Sequence, residues 1–405
     1  MIELLAPGGN FEKCKTAFHF GADAVYVGGK ALSLRAFADN FEDKEIEELT
    51  TYAHSIGKKV YVTMNIFPRN KDFDKIEQEL IYLDKIKVDA VIISDAGIIA
   101  VRNALGLKVP VHLSTQANTL NKYSAKFWAE QGVSRIILAR ELSIDEIKEI
   151  REFLPKSVEL EMFVHGAMCI SYSGRCLLSN YLTKRDSNNG ECVQACRWDY
   201  QLVEKSRKDA PMDIEEDERG TYIMNSKDLK LIENIKEIID AGVCSLKVEG
   251  RMKSEYYVAT VIHAYRKAVD CVLLGKQLPT EYIEDLDKAG HRNYTTCYFH
   301  GANDDTQNHE TSKPEQSFDF IAEVRGYADG FATVIMRNRF YKGDKLEILS
   351  IGDSFNKSFE VTEIYDEKSN LIDDAKIVQQ TLKVKCPFEV FENDIFRIAK
   401  RYKVN

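Results

Sequence analysis

Short apolar runs alternate with stretches of helical periodicity along most of the chain. The runs are residues 2–6, 24–27, 60–64, 90–93, 109–113, 135–139, 160–164 and 245–248. Most are rich in Val and Ile and lack an in-out alternation, the pattern of strands covered on both faces. Between them, "FEDKEIEELTTYAHSIGKK" places Ile46, Leu49, Ala53 and Ile56 on one helical face, with Gly57 as a stop. "ELSIDEIKEIREFL" starts with Ser143 followed three residues later by Glu146, a capping box. Strand–helix alternation repeated eight times predicts an α/β fold, a TIM-like (β/α)8 barrel ending near Asp270. An open doubly wound sheet is the competing arrangement, and the count of eight favours the barrel.

A stretch rich in Ser, Gly, Asn and Arg interrupts the seventh β–α unit, over about residues 166–226, before a helix expected at 229–241. An insertion there opens on the C-terminal face of the barrel, where active sites of this architecture lie. Within it "WDYQLVE" and "GTYIMN" suggest a hairpin, joined by an acidic surface loop, "KSRKDAPMDIEEDERG". Helices are expected at 254–274 and 281–290. Residues 1–300 thus form the barrel domain and the polar segment 301–317 a linker. Residues 318–405 alternate apolar and polar positions between turns, which predicts a small C-terminal all-β barrel domain.

The length of 405 residues accommodates a barrel of ~250 residues plus a smaller domain. A net charge of −9 argues against a surface coated in phosphate contacts, though not against a local basic patch. No apolar run is long enough for a membrane helix, and no signal peptide is recognisable, so a cytoplasmic location with reduced thiols is expected.

Four of the nine cysteines, Cys169, Cys176, Cys192 and Cys196, fall in the insertion. Their spacing is C-x6-C, fifteen residues, then C-x3-C. Scattered core thiols do not cluster in this way. Structural zinc prefers two tight pairs, and the first pair here is open. Iron–sulfur clusters take four thiolates at spacings that vary with the family. The C-x3-C-x2-C pattern of radical enzymes is absent, because Asp199 stands where the third cysteine belongs. Cys14, Cys244, Cys271, Cys297 and Cys386 read as ordinary core or surface residues.

The stretch "EMFVHGAMCISYSGRCLLS" resembles a signature of the collagenase-like peptidases of unclassified catalytic type. The likeness extends to "LLAPGG", "GADAVYVGG", "HLSTQAN", "RIILARELS", "NSKDL" and "SLKVEGRMKS", and to the C-terminal domain. "SGRCLLSNYLTKRDSNNGECVQACRWDY" and "RGTYIMNSKDL" resemble the branch of prephenate-dependent tRNA uridine hydroxylases. The resemblance implies oxygen-independent formation of 5-hydroxyuridine at the wobble position, in the tRNA anticodon region, with prephenate as co-substrate. It also implies a [4Fe–4S] cluster on Cys169, Cys176, Cys192 and Cys196. Other branches act on ribosomal RNA or quinone precursors, and a peptidase remains the alternative. Neither H-E-x-x-H nor G-x-S-x-G occurs in the chain.

Polar residues at the strand ends are expected to face the barrel mouth. His165, Glu249, Asn65 and Gln116 are the catalytic candidates, His165 as a general acid or base and the two amides as readers of a uracil edge. Arg35, Arg140, Lys247 and Arg251 are candidates for binding a dicarboxylate. Arg140–Glu141 and Glu249–Arg251 pairs are the plainer reading. Lys184, Arg185 and Arg197, with Tyr172, Tyr181, Trp198 and Tyr200 nearby, suit an extruded nucleotide. The basic end of the chain, Arg397, Lys400, Arg401 and Lys403, is a second candidate RNA contact. Gly8, Gly9, Gly28 and Gly29 fit tight β–α turns rather than a phosphate loop.

Overall fold

Every apolar run identified above becomes a strand in the computed structural model. It describes residues 2–30, 40–168, 178–183, 185, 193, 195, 216–217, 220–221, 226–301 and 315–400. The barrel strands are β1 (Glu3–Pro7), β2 (Ala24–Gly28), β3 (Lys59–Met64), β4 (Ala90–Ile93), β5 (Val111–Leu113), β6 (Arg135–Ile137) and β7 (Glu159–Ala167). A short strand, β8 (Asp228–Lys230), precedes the last barrel strand, β9 (Ser245–Val248), and β10 (Tyr294–Thr295) follows it. Strands β1 to β7 pair in sequence order, and β9 pairs in parallel with both β7 and β1. Eight parallel strands therefore close into a TIM-like barrel.

The barrel wall has two chemically distinct faces. Leu4, Val25, Val60, Val91, Ile136, Leu160 and Leu246 are buried, and neighbouring residues on each strand alternate to the other face. That other face carries Glu3, Tyr26, Tyr61, His112, Arg135, Glu161, Phe163, Ser245 and Lys247, all buried. The expectation of uniformly apolar strands was incomplete: the lumen holds an ion network. Arg135 bonds Glu3, Glu159 and Glu161, the last at 3.1 Å. Ser245 Oγ lies 3.0 Å from both Glu3 and Glu161, sharing its one proton between them, and Tyr61 OH donates to Glu3 at 2.6 Å. Opposite charges are matched within the lumen, which offsets the several kcal/mol that each unpaired buried ion costs.

The outer layer is α1 (Phe11–His19), α2 (Asp43–Ser55), α3 (Phe73–Lys85), α4 (Ala96–Ala104), α5 (Lys122–Glu130) and α6 (Ile144–Phe153). It continues with α8 (Ile235–Asp240), α9 (Glu255–Leu273) and α10 (Thr280–Asp285), while α7 (Leu178–Thr183) belongs to the insertion. Ser143 caps α6 through the expected reciprocal pair with Glu146. In α2, Ile46, Leu49 and Ala53 are buried, but Ile56 is the C-cap residue and 44% exposed, because the helix ends before it. The helix expected at 229–241 is instead β8, a 3-10 turn at Ile232–Asn234 and the short α8. Leu229 pairs antiparallel with Gly166 of β7, so the chain leaves the insertion as a strand. The helix expected at 281–290 is α10 followed by a 3-10 turn at Leu286–Lys288.

The C-terminal domain is an eight-stranded antiparallel curled sheet. Its strands are β11 (Phe318–Ala328), β12 (Phe331–Met336), β13 (Lys345–Leu349), β14 (Ser358–Glu360), β15 (Ile364–Tyr365), β16 (Leu371–Ile372), β17 (Thr381–Lys385) and β18 (Ile395–Ala399). The spatial order is β14-β13-β18-β11-β12-β17-β15-β16. Ile321, Val324, Val334, Leu346, Ile348 and Phe396 form its core.

This sheet is tied to the barrel by charge. Arg397 was expected as part of a basic tail; it is fully buried instead, bonded to Asp285 of α10, to Glu347 and to Asn356. Sheet alternation turns Arg397 inward, whereas Lys400 lies beyond β18 and Arg401 and Lys403 lie outside the described residues. Lys288 joins Glu347 at 2.7 Å, and His19 of α1 joins Asp394 at 2.8 Å.

Candidate active site

The chain leaves each barrel strand at the same end, and there the polar candidates collect. Asn65 follows β3, and Gln116 lies in the 3-10 turn Thr115–Ala117 after β5. Asn65 Nδ2 donates to Gln116 Oε1 at 2.7 Å. Thr115 Oγ1 donates to Leu138 O at 3.0 Å, which fixes this turn to the end of β6.

Arg140, beyond β6, lies flat against Phe163, its guanidinium carbon 4.0 Å from the ring centroid. Its Nη1 donates to Ala167 O at 2.9 Å, and Nη2 lies 3.4 Å from Glu249 Oε2. Arg140 Nε is buried and has no hydrogen-bond partner among the described residues. The pairing is thus Arg140–Glu249, not Arg140–Glu141 or Glu249–Arg251. Arg251 instead donates to Asn40 Oδ1.

Two candidates do not face the mouth. Lys247 sits inside the barrel, paired with Glu161 at 3.0 Å and lying over the rings of Tyr26 and Phe163, at 4.3 and 5.3 Å. Burial lowers its ammonium pKa, and Glu161 partly offsets this. Lys247 supports the lumen and does not serve as a free cation at the rim. His165 is turned outward. One step along β9, Lys247 to Val248, matches two along β7, Phe163 to His165, so Val164 is the extra residue of a bulge. The imidazole consequently packs among Tyr257, Tyr265 and Tyr294, at centroid distances of 6.0, 5.4 and 5.5 Å. Burial pushes its pKa down to about 3, so it is neutral near pH 7 and is not a poised general acid.

Gly166, directly after His165, has a backbone conformation that favours glycine. Its φ is +112°, and a Cβ there would lie 2.6 Å from Glu249 O and 2.9 Å from Glu249 Cβ. Gly166→Ala is therefore expected to cost about 1–3 kcal/mol of backbone strain and to displace Glu249 from Arg140. A thermal unfolding scan of the variant checks the first effect; an unchanged midpoint would refute it.

The insertion begins and ends at this mouth, because β8 runs antiparallel to β7 with Asp228 opposite Ala167. Cys169, Cys176, Cys192, Cys196, Arg35, Lys184 and Arg197 lie outside the described residues, as do Tyr172, Trp198 and Tyr200 and the side chain of Tyr181. Arg185 is exposed, and its backbone N donates to Thr183 Oγ1 at 3.3 Å. Gly220–Thr221, at the start of the second expected hairpin strand, pairs with Glu216–Asp217, which lies inside the stretch expected as loop. Val193 N donates to Ser179 Oγ at 3.3 Å. That bond joins residues fourteen positions apart in the insertion.

Four of the five remaining thiols are poor nucleophiles. Burial raises the pKa of Cys14 and Cys244, and pushes Cys297 and Cys386 up to about 11. Among the described residues no group of three His, Cys, Asp or Glu is placed to hold a metal ion. No described helix is long and apolar enough to cross a membrane.

The residues that sequence reasoning missed are Glu3, Arg135 and Glu161, which fill the lumen beneath the mouth. Their signal was present as charges set inside otherwise apolar runs.

Residues 9–309 match the family described as peptidase family U32, and residues 316–397 match the peptidase family U32 C-terminal domain. The tRNA hydroxylation protein P1 of Bacillus subtilis is 41% identical over 98% of this chain and 95% of its own length. The tRNA hydroxylation protein P of Escherichia coli is 40% identical over 88% of both chains. The 23S rRNA 5-hydroxycytidine C2501 synthase of Escherichia coli is 36% identical over 67% of this chain and 40% of its own length.

Proposed function

From the premise that this chain belongs to peptidase family U32, we propose that it hydroxylates tRNA, forming 5-hydroxyuridine at the wobble position with prephenate as co-substrate. The observation that carries this reading is the likeness to the tRNA hydroxylation proteins along the barrel, the insertion and the sheet domain alike. The mouth is suited to the two substrates. Arg140 keeps a buried N–H without a described acceptor, and with Arg251 it offers cationic donors for a carboxylate. Glu249 opposite Arg140 holds that guanidinium against Phe163 in advance of binding. Gln116 and Asn65 offer amide groups to a base turned out of its stack.

A [4Fe–4S] cluster on Cys169, Cys176, Cys192 and Cys196 is part of the proposal. The gathering of four cysteines within one insertion of the sequence supports it. When bound, such a cluster would supply a redox-active or Lewis-acidic centre. Arg140, Arg251, Asn65 and Gln116 would bind and orient the substrates. The peptidase alternative has less support in the residues: neither H-E-x-x-H nor G-x-S-x-G occurs in the sequence, and four of the five thiols outside the insertion have raised pKa values.

Anaerobically purified protein is expected to carry about four iron and four acid-labile sulfide per chain, with both lost in Cys176→Ala. Expressed in an Escherichia coli strain lacking its own tRNA hydroxylation protein P, the parent chain should restore hydroxyuridine in digested tRNA and the variant should not. Zinc without sulfide would remove the cluster from the proposal. Unmodified tRNA would remove the hydroxylase reading.

A further inference from the structure

The carboxamide of Gln116 is held by one end. Its Oε1 accepts from Asn65 Nδ2 at 2.7 Å and from Ser114 Oγ at 3.4 Å. The backbone is fixed as well, since Gln116 N donates to Ser114 Oγ at 3.4 Å and Thr115 is anchored to β6. Among the described residues Nε2 donates to nothing, and it is not among the buried polar atoms left without a partner. Gln116 is 9% exposed and lies where the chain leaves β5, at the barrel mouth. A primary amide freed of its environment presents either its oxygen or its nitrogen. Here the oxygen is already taken by two donors, so the nitrogen is the end left for a ligand.

We infer that Gln116 is the base-selecting residue and that Asn65 is the positioning residue that makes it selective for uridine over cytidine. This inference rests on the hydroxylase reading. Uracil presents an acceptor at O4, whereas cytosine presents an N4 amine donor at the same place. A fixed N–H donor bonds the first and meets the second donor to donor. Sites that read a base by one polar group reject the mismatched group strongly, because the protein's own donor is left unsatisfied.

Asn65→Asp replaces the donor that holds Gln116 with an acceptor. Gln116 Nε2 then donates to the new carboxylate, and Oε1 turns to the mouth, where it accepts from a cytosine amine. Gln116→Glu presents an acceptor directly. Both variants and the parent chain are to be expressed in the strain lacking tRNA hydroxylation protein P, with two plasmid-borne tRNAs. One tRNA carries the target uridine and the other cytidine in its place, and hydroxyuridine and hydroxycytidine are quantified by mass.

The parent chain should modify uridine in preference to cytidine. Each variant should lower the uridine-to-cytidine ratio by tenfold or more, a change that general loss of structure does not produce. Should one variant fail to accumulate, the other decides. Hydroxyuridine at an unchanged ratio in the variants overturns the inference alone. Neither product from the parent chain overturns the hydroxylase reading and this inference with it.

Discussion

Arg397→Ala is expected to lower the unfolding free energy by about 3–5 kcal/mol, the cost of leaving a buried charge without its partner. Arg397 is fully buried between the sheet and the barrel, and its guanidinium reaches Asp285, itself 1% exposed. Asp285 would remain in that interface with Lys288 at 3.2 Å as its remaining described cation. Urea unfolding followed by circular dichroism measures the effect. The control is Arg339→Ala, which removes an exposed pair with Asp374 and should leave the midpoint nearly unchanged. Equal midpoints for Arg397→Ala and the parent would show that the interface does not depend on this ion network.

Mild acid is the second large perturbation. His112, His165 and His263 are buried, and burial lowers all three pKa values, to about 3 for His165 and His263. An unfolded histidine titrates near 6.5. The unfolded chain therefore binds more protons than the folded one between these values. Stability is fully present above about pH 6.5 and is lost as pH falls toward the folded-state values. The slope is about 1.4 kcal/mol per pH unit for each such group. Glu3 does not account for this window, since against the cost of burial Arg135 holds it below its ordinary carboxylate value.

His263 isolates one of the three contributions. It lies among Phe20, Tyr282 and Phe355, and neither ring nitrogen has a hydrogen-bond partner among the described residues. His263→Phe should reduce the slope of stability against pH between about 6.5 and 5 by one proton's worth. Urea midpoints across that range test this, and an unaltered slope would mean that His263 stays neutral in the unfolded chain or charges within the fold.

Much of the architecture was legible because burial on both faces leaves a simple record. A strand such as residues 90–93, Ala-Val-Ile-Ile, has few alternatives to a barrel wall. Caps are local in the same way: Ser143 and Glu146 are three residues apart and settle the start of α6 without outside help. The position of the insertion was legible for a topological reason. It falls between the seventh and eighth barrel strands, and in this architecture such a connection opens at the mouth. The strand β8 was not legible, because Leu229 takes its extended form from pairing with Gly166, a residue far away in sequence.

The sequence by itself determined the barrel's strand count, the two-domain division, and which residue types stand at the strand ends. Each follows from local periodicity and spacing. Only the tertiary structure decided where those side chains point. A single extra residue at Val164 turns His165 out of the mouth toward Tyr257 and Tyr265 of α9. Alternation along β9 and β18 drives Lys247 into the lumen and Arg397 into the domain interface, where charges from distant segments match them. Pairing of charges across a closed barrel or between domains depends on register and closure, which no stretch of sequence contains alone.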